Sequence, residues 1–216
     1  MNGATTCICF DFDGTIADSY HLFREKVQGL ALKLGYRPIS DEQAEQLRNK
    51  HVRDIIAQFK IPYYRVPWLV WRLRAEMRDG MRHVPPVEGM PGVIASLRER
   101  RYLLGIVSSN TERIVHDLLD AHRLQLFDFI ACNANIFGKV RTLSWVLWRR
   151  QLPPERTVYI GDEMRDAEAA RKIGIRFGAV SWGYNTLESL RCYDPEYVFE
   201  APNDILAAFP GPAADA

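Results

Sequence analysis

No run of apolar residues in this chain approaches the roughly 18 that a membrane span needs. The first residues carry no basic stretch ahead of an apolar segment, so nothing reads as a secretion signal. Lysine and arginine number 28 against 27 aspartates and glutamates, a formal charge of +1 with a pI near 7.7. That balance leaves no basic excess for a nucleic-acid backbone or an anionic membrane surface, and neither is expected as a partner. Cysteine is scarce. Cys7, Cys9, Cys132 and Cys192 show no CxxC spacing, and three of them fall in or beside apolar strand-like runs, where cysteine serves as a small hydrophobe. Such usage points to a reducing compartment, and a cytoplasmic location is the expectation. His21, His51, His83, His116 and His122 form no close ligand spacing, which argues against a histidine metal site. There is no internal repeat or low-complexity tract, and the closing "PGPAADA" reads as a frayed tail.

What the chain does have is enough material for a core: 216 residues, 47% of them hydrophobic. Short apolar runs recur at Cys7 to Phe10, Tyr102 to Val107, Phe129 to Cys132, Thr157 to Ile160 and Phe177 to Val180. Stretches with helical spacing separate them, a pattern that predicts an α/β fold, a Rossmann-like, mostly parallel sheet with helices on both faces. Between the first run and the second the pattern is helical throughout. Leu22, Val27, Leu30 and Leu34 share one face, Ser40 and Gln43 form a capping-box signature, and Trp68 and Trp71, three apart, are expected to pack between helices. A single βα crossover does not need about seventy residues. The expectation is therefore an all-α cap over residues 17–85, inserted after the first strand and closed by "HVPPVEGMPG", with residues 1–16 and 86–216 as the core.

The stretch "CICFDFDGTIADSY" then places Asp11 and Asp13 two residues apart at a strand end. Carboxylates about 4 Å apart repel by roughly 4 kcal/mol at an effective dielectric near 20, so a positive charge is expected between them. Three further segments carry polar residues at the ends of strand-like runs: "LLGIVSSN", "FGKVRTL" and "VYIGDEMRDAEAARKIG". In a parallel sheet the carboxyl ends of strands converge on one crevice, which would bring Asp11, Ser108 and Asp162 together. Asp162 and Asp166 lie four apart at the mouth of a helix with Glu163 between them, an oxygen-rich set suited to a hard cation such as Mg²⁺. Glu163 could instead merely complement the helix dipole.

These four segments, in this order, resemble the motifs of the haloacid-dehalogenase superfamily of phosphohydrolases, and the likeness covers nearly the whole chain. "PPVEGMPGVIASLRER" is similar to the return from that family's first type of cap, and the overall pattern is most like its phosphoglycolate phosphatase branch. The resemblance implies a Mg²⁺-dependent phosphatase that hydrolyses a small phosphorylated metabolite through an aspartyl phosphate. Asp11 is the expected nucleophile and Asp13 the acid that protonates the leaving alcohol and then the base for water. It also implies that Asp11, the backbone carbonyl of Asp13 and Asp162 hold the metal, with Asp166 behind them or binding through water.

Gly14 and Thr15 are expected to turn backbone N–H groups towards the phosphate. Ser108 and Ser109 are expected to cradle it at a helix start where Asn110 or Thr111 could cap. Lys139 would supply a point charge, with Arg141 as the fallback. In the cap, Arg48 and His51 could face the crevice and contact the substrate or be ordinary polar positions on the lid, and Trp182 and Tyr184 could wall the site or simply pack. A phosphosugar mutase on the same core, or a non-enzymatic ligand-binding relative, are the alternative readings. The protein is expected to be a monomer or homodimer.

Overall fold

In the computed structural model, which describes residues 6–132 and 138–211, the first strand β1 (Cys7–Phe10) is wholly buried. Its side chains alternate between two cores. Ile8 and Phe10 enter one apolar cluster and Cys7 and Cys9 the other, as the period of two in an extended chain requires. Cysteine is thus a small core hydrophobe at these two positions.

After β1 the chain leaves the sheet for four helices, α1 (Tyr20–Lys33), α2 (Asp41–Arg48), α3 (Val52–Gln58) and α4 (Val66–Met81). Departure and return are stapled side by side. Asp18 N–H donates to the Pro85 carbonyl (3.0 Å), Val87 N–H donates to the Ile16 carbonyl (2.8 Å), and Ala17 bridges Pro86. The capping box forms as expected: Ser40 Oγ accepts from the Gln43 N–H and the Gln43 side chain accepts from the Ser40 N–H. Of the face expected on α1, Leu30 is buried, Leu22 and Val27 are half-buried and Leu34 is exposed. The expectation for Trp68 and Trp71 fails, since they are 48% and 62% exposed. The inward stripe of α4 is Val66, Leu73, Met77 and Met81, a spacing of seven, four and four that carries the tryptophans to another face.

The core then alternates regularly through α5 (Met90–Glu99), β2 (Leu103–Ser108), α6 (Glu112–Ala121), β3 (Phe129–Cys132), α7 (Lys139–Arg150), β4 (Thr157–Gly161), α8 (Met164–Ile173), β5 (Arg176–Val180), α9 (Leu187–Arg191), β6 (Tyr197–Phe199) and α10 (Pro202–Ala208). All five runs expected as strands are strands. β6 was not anticipated: it has three residues, too few for alternation to register. The strand order is β3-β2-β1-β4-β5-β6, every pairing parallel. Connections run outward in one direction from β1 through β2 to β3 and in the other from β4 to β6. The carboxyl ends of β1 and β4 therefore flank the point where the winding reverses, where an α/β sheet leaves an open crevice. Most of the tail expected to fray lies outside the described residues, and among those described no helix is long and apolar enough to cross a membrane.

Candidate active site

Asp11 follows β1, and its N–H donates to the Ile160 carbonyl of β4 (2.8 Å), so the ladder itself aims its carboxylate into the crevice. Asp162 follows β4 and Asp166 lies one turn into α8. Asp11, Asp162 and Asp166 each offer an oxygen, and all of these lie within 4.8 Å of one another. All three residues are buried. Three glycines make room for them. A Cβ at Gly14, where φ is +76°, would sit 2.3 Å from Asp162 Oδ2; at Gly161 it would meet Asp166 Oδ2 at 2.4 Å; at Gly183 it would meet Asp162 Cβ at 2.0 Å.

Lys139, the first residue of α7, reaches into this cluster as a buried cation. Its Nζ lies 2.8 Å from Asp11 Oδ2 and 2.5 Å from Asp166 Oδ1. Burial alone would lower the ammonium's pKa, but Asp11 and Asp166 more than reverse this and hold it above its ordinary value. Arg141, the fallback, is exposed. Burial, then Glu163 and Asp11, push Asp162 well above the usual carboxylate range. Burial raises Asp166 to about 7 against the opposing pull of Lys139. Acids forced up in this way signal too little positive charge for the number of carboxylates.

The donors around that deficit are carboxylate oxygens, so the cluster fits a hard divalent cation. Asp166 already uses Oδ1 on Lys139 and Oδ2 on the Glu163 N–H (3.2 Å), which suits it to a supporting place behind Asp11 and Asp162.

Asp13 points elsewhere, and Asp11 does not share its partners. Its Oδ1 accepts from Ser19 Oγ (3.1 Å) and its Oδ2 from Asn110 Nδ2 (2.9 Å). Burial, then the Asp11 charge, raise its pKa from 3.8 to about 6, where a carboxyl group can both give and take a proton near neutrality. Ser19 Oγ is in turn 2.9 Å from the Tyr184 hydroxyl. Asn110 was expected only as a helix cap. Thr111 is the cap residue of α6 and makes no side-chain capping bond; Asn110 precedes it, its Oδ1 accepting from the Thr111 N–H (2.8 Å) while its amide fixes Asp13. Neither Ser19 nor Asn110 carries a local signal for this role, because their partners come from other elements.

Ser108 is buried at the end of β2, and its Oγ accepts from the Asn110 N–H (2.9 Å). Ser109 Oγ accepts from Arg165 (3.3 Å), and its carbonyl accepts from Arg74 of α4 (2.6 Å). These two guanidiniums give the mouth of the crevice a positive side that the motif spacing did not reveal. The Gly14 N–H donates to the Ala17 carbonyl (2.9 Å), closing the turn, and the buried Thr15 hydroxyl donates to Asp162 Oδ1 (2.8 Å). These bonds build the cluster from behind.

Arg48 and His51 of the insert meet groups of the core. Arg48 donates to the carbonyls of Tyr184 (3.2 Å) and Gly183 (2.9 Å), and stands 5.0 Å from the Tyr20 ring centroid. His51 Nδ1 accepts from the Arg53 N–H (3.1 Å), and its Nε2 lies 3.5 Å from Glu168. They tie the insert to the core loops. Trp182 donates to the Thr15 carbonyl (3.2 Å) and Tyr184 stacks on Phe23 of α1 at 4.9 Å, so both brace the wall of the site.

The family model for haloacid dehalogenase-like hydrolases matches residues 8–180. A phosphoglycolate phosphatase of Synechococcus elongatus is 34% identical over 202 residues, covering 93% of this chain and 95% of that one. One from Vibrio cholerae is 24% identical, covering 88% and 91%. Among solved structures, a haloacid dehalogenase-like family hydrolase from Streptococcus pneumoniae superposes with a TM-score of 0.81 at 23% identity, covering 95% of this chain and 98% of that one.

Proposed function

Because the chain belongs to the haloacid dehalogenase-like hydrolase family and is a phosphatase, we propose that it hydrolyses a small phosphate monoester in a Mg²⁺-dependent reaction through an aspartyl phosphate. Phosphoglycolate is the candidate that the relatives' names suggest. The observation that carries the reading is the division of labour between two aspartates on one loop. Asp11 is paired with Lys139 inside the acidic cluster, and Asp13 is turned aside by Ser19 and Asn110 with its pKa near 6.

Asp11 attacks phosphorus, the ester P–O bond breaks, and the departing oxygen takes the proton held on Asp13. Asp13, now a carboxylate, takes a proton from water as that water attacks the aspartyl phosphate, releasing inorganic phosphate and regenerating Asp11. Lys139, Ser108 and Ser109 hold the phosphate oxygens, with Arg165 steadying the Ser109 hydroxyl. Asp11, Asp162 and the Asp13 carbonyl would hold Mg²⁺, which when bound supplies charge that neutralises the phosphate dianion. Residues 17–85 act as a cap over a core of 1–16 and 86–216, excluding bulk water during transfer. The enzyme works in the cytoplasm.

The test is phosphate release from a panel of esters with and without Mg²⁺, for the natural protein and Asp11→Asn. Turnover should require both the metal and Asp11. Unimpaired hydrolysis of an aryl phosphate by Asp11→Asn would remove the nucleophile from this account.

A further inference from the structure

The four-helix insert is not filled as a closed core. α1 lies against α4, and side chains from all four helices face one space. The space between is a chamber of about 390 Å³, a size typical of ligand sites. Val27, Leu30, Leu47, Ile55, Leu69 and Leu73 are among its walls, drawn from all four helices. Most of these wall residues are half-buried, so they leave apolar surface in contact with water and gain by enclosing hydrocarbon.

One end of the chamber is polar and belongs to the core: Asp13, Ser109, Asn110, Glu163 and Arg165. The organic part of an ester protonated by Asp13 would extend from that end into the insert. The insert side contributes few polar side chains to the chamber, Gln28, Tyr36, Arg37 and Arg74. Gln28 donates to the Ile39 carbonyl (3.2 Å), Arg37 is exposed, and Arg74 reaches back to the Ser109 carbonyl at the threshold. A glycolate-sized group would leave most of the chamber's apolar wall uncovered.

We propose that the preferred substrate is the phosphate monoester of an apolar alcohol, an alkyl or aryl group of several carbons seated in the chamber between α1, α2, α3 and α4. This rests on the phosphatase reading and narrows its substrate class. The experiment is kcat/KM for n-alkyl phosphates from methyl to octyl, beside 2-phosphoglycolate, by phosphate release in Mg²⁺. Each methylene that seats should raise kcat/KM about three- to fourfold, roughly a hundredfold over four of them, and the longer esters should exceed 2-phosphoglycolate. Leu69→Trp, which narrows the chamber, should lower the octyl-to-methyl ratio about tenfold, the worth of roughly two methylenes on the same scale. A series flat in chain length, or a preference for 2-phosphoglycolate, overturns this assignment and leaves the phosphatase standing. No phosphate released from any ester overturns both.

Discussion

Replacing Asp13 by asparagine should stabilise the metal-free protein above neutrality even as it removes turnover. In the folded chain the Asp13 carboxyl titrates at about 6 against an ordinary value of 3.8, because burial and the Asp11 charge oppose its ionisation. A pKa raised on folding means that the native state resists losing the proton. The penalty is absent below about pH 4, grows between the two values and is complete above about pH 6. At 1.36 kcal/mol per pH unit, the gap amounts to about 3 kcal/mol. Asparagine removes the charge but turns one of two acceptors into a donor, so a hydrogen bond from Ser19 or Asn110 is lost, at about 1 kcal/mol. The variant should therefore be about 2 kcal/mol more stable than the natural protein at pH 8 and about 1 kcal/mol less stable at pH 4. For a chain of this length, 2 kcal/mol corresponds to a rise in Tm of roughly 4 to 8 °C. The assay is urea and thermal unfolding of both proteins in EDTA across that range. Asp162 and Asp166 titrate in both, so the difference between the curves is the quantity to read. A difference that does not change with pH, or an Asp13→Asn protein less stable at pH 8, would refute the reasoning.

Chelation with EDTA should stop phosphate release, and added Mg²⁺ should restore it. Mg²⁺ should also raise Tm, as any ion does that binds a folded cluster in preference to the unfolded chain; activity indifferent to chelation would break the link between the acidic cluster and the chemistry. Lys139→Met leaves Asp11 and Asp166 buried without their cation. In EDTA it should lower stability by about 3 to 5 kcal/mol in urea unfolding. A loss within about 0.5 kcal/mol, as for an ordinary surface substitution, would show that the two ion pairs do not hold the crevice together.

How far each feature could be read from the sequence depended on how local its cause is. Strands β1 to β5 announced themselves because a short apolar run and turn chemistry act over a few residues, whereas β6 is too short for such a run to show. The motif residues Asp11, Ser108 and Asp162 were placed together by one topological rule, that parallel strands bring their carboxyl ends to one side. Trp68 and Trp71 were misread because a tryptophan pair three apart marks a helix face without saying which face turns inward. Gly14 and Thr15 were given the right location, but which groups their N–H and hydroxyl meet depends on the chain that folds over them.

By itself, then, the order of residues determined the sheet, the helical insert and the set of acids at the strand ends, all consequences of short-range periodicity and of the reach of a parallel crossover. Only the tertiary structure decided which partners those acids found. Asn110 meets Asp13 across 97 residues of chain, Thr15 meets Asp162 across 147, and Tyr184 meets Ser19 across 165. No local pattern encodes such contacts, because each is set by how separate elements pack. The hollow in the insert has the same origin: its walls are ordinary apolar helix positions, and whether helices close on one another or on a ligand is settled by where they come to rest.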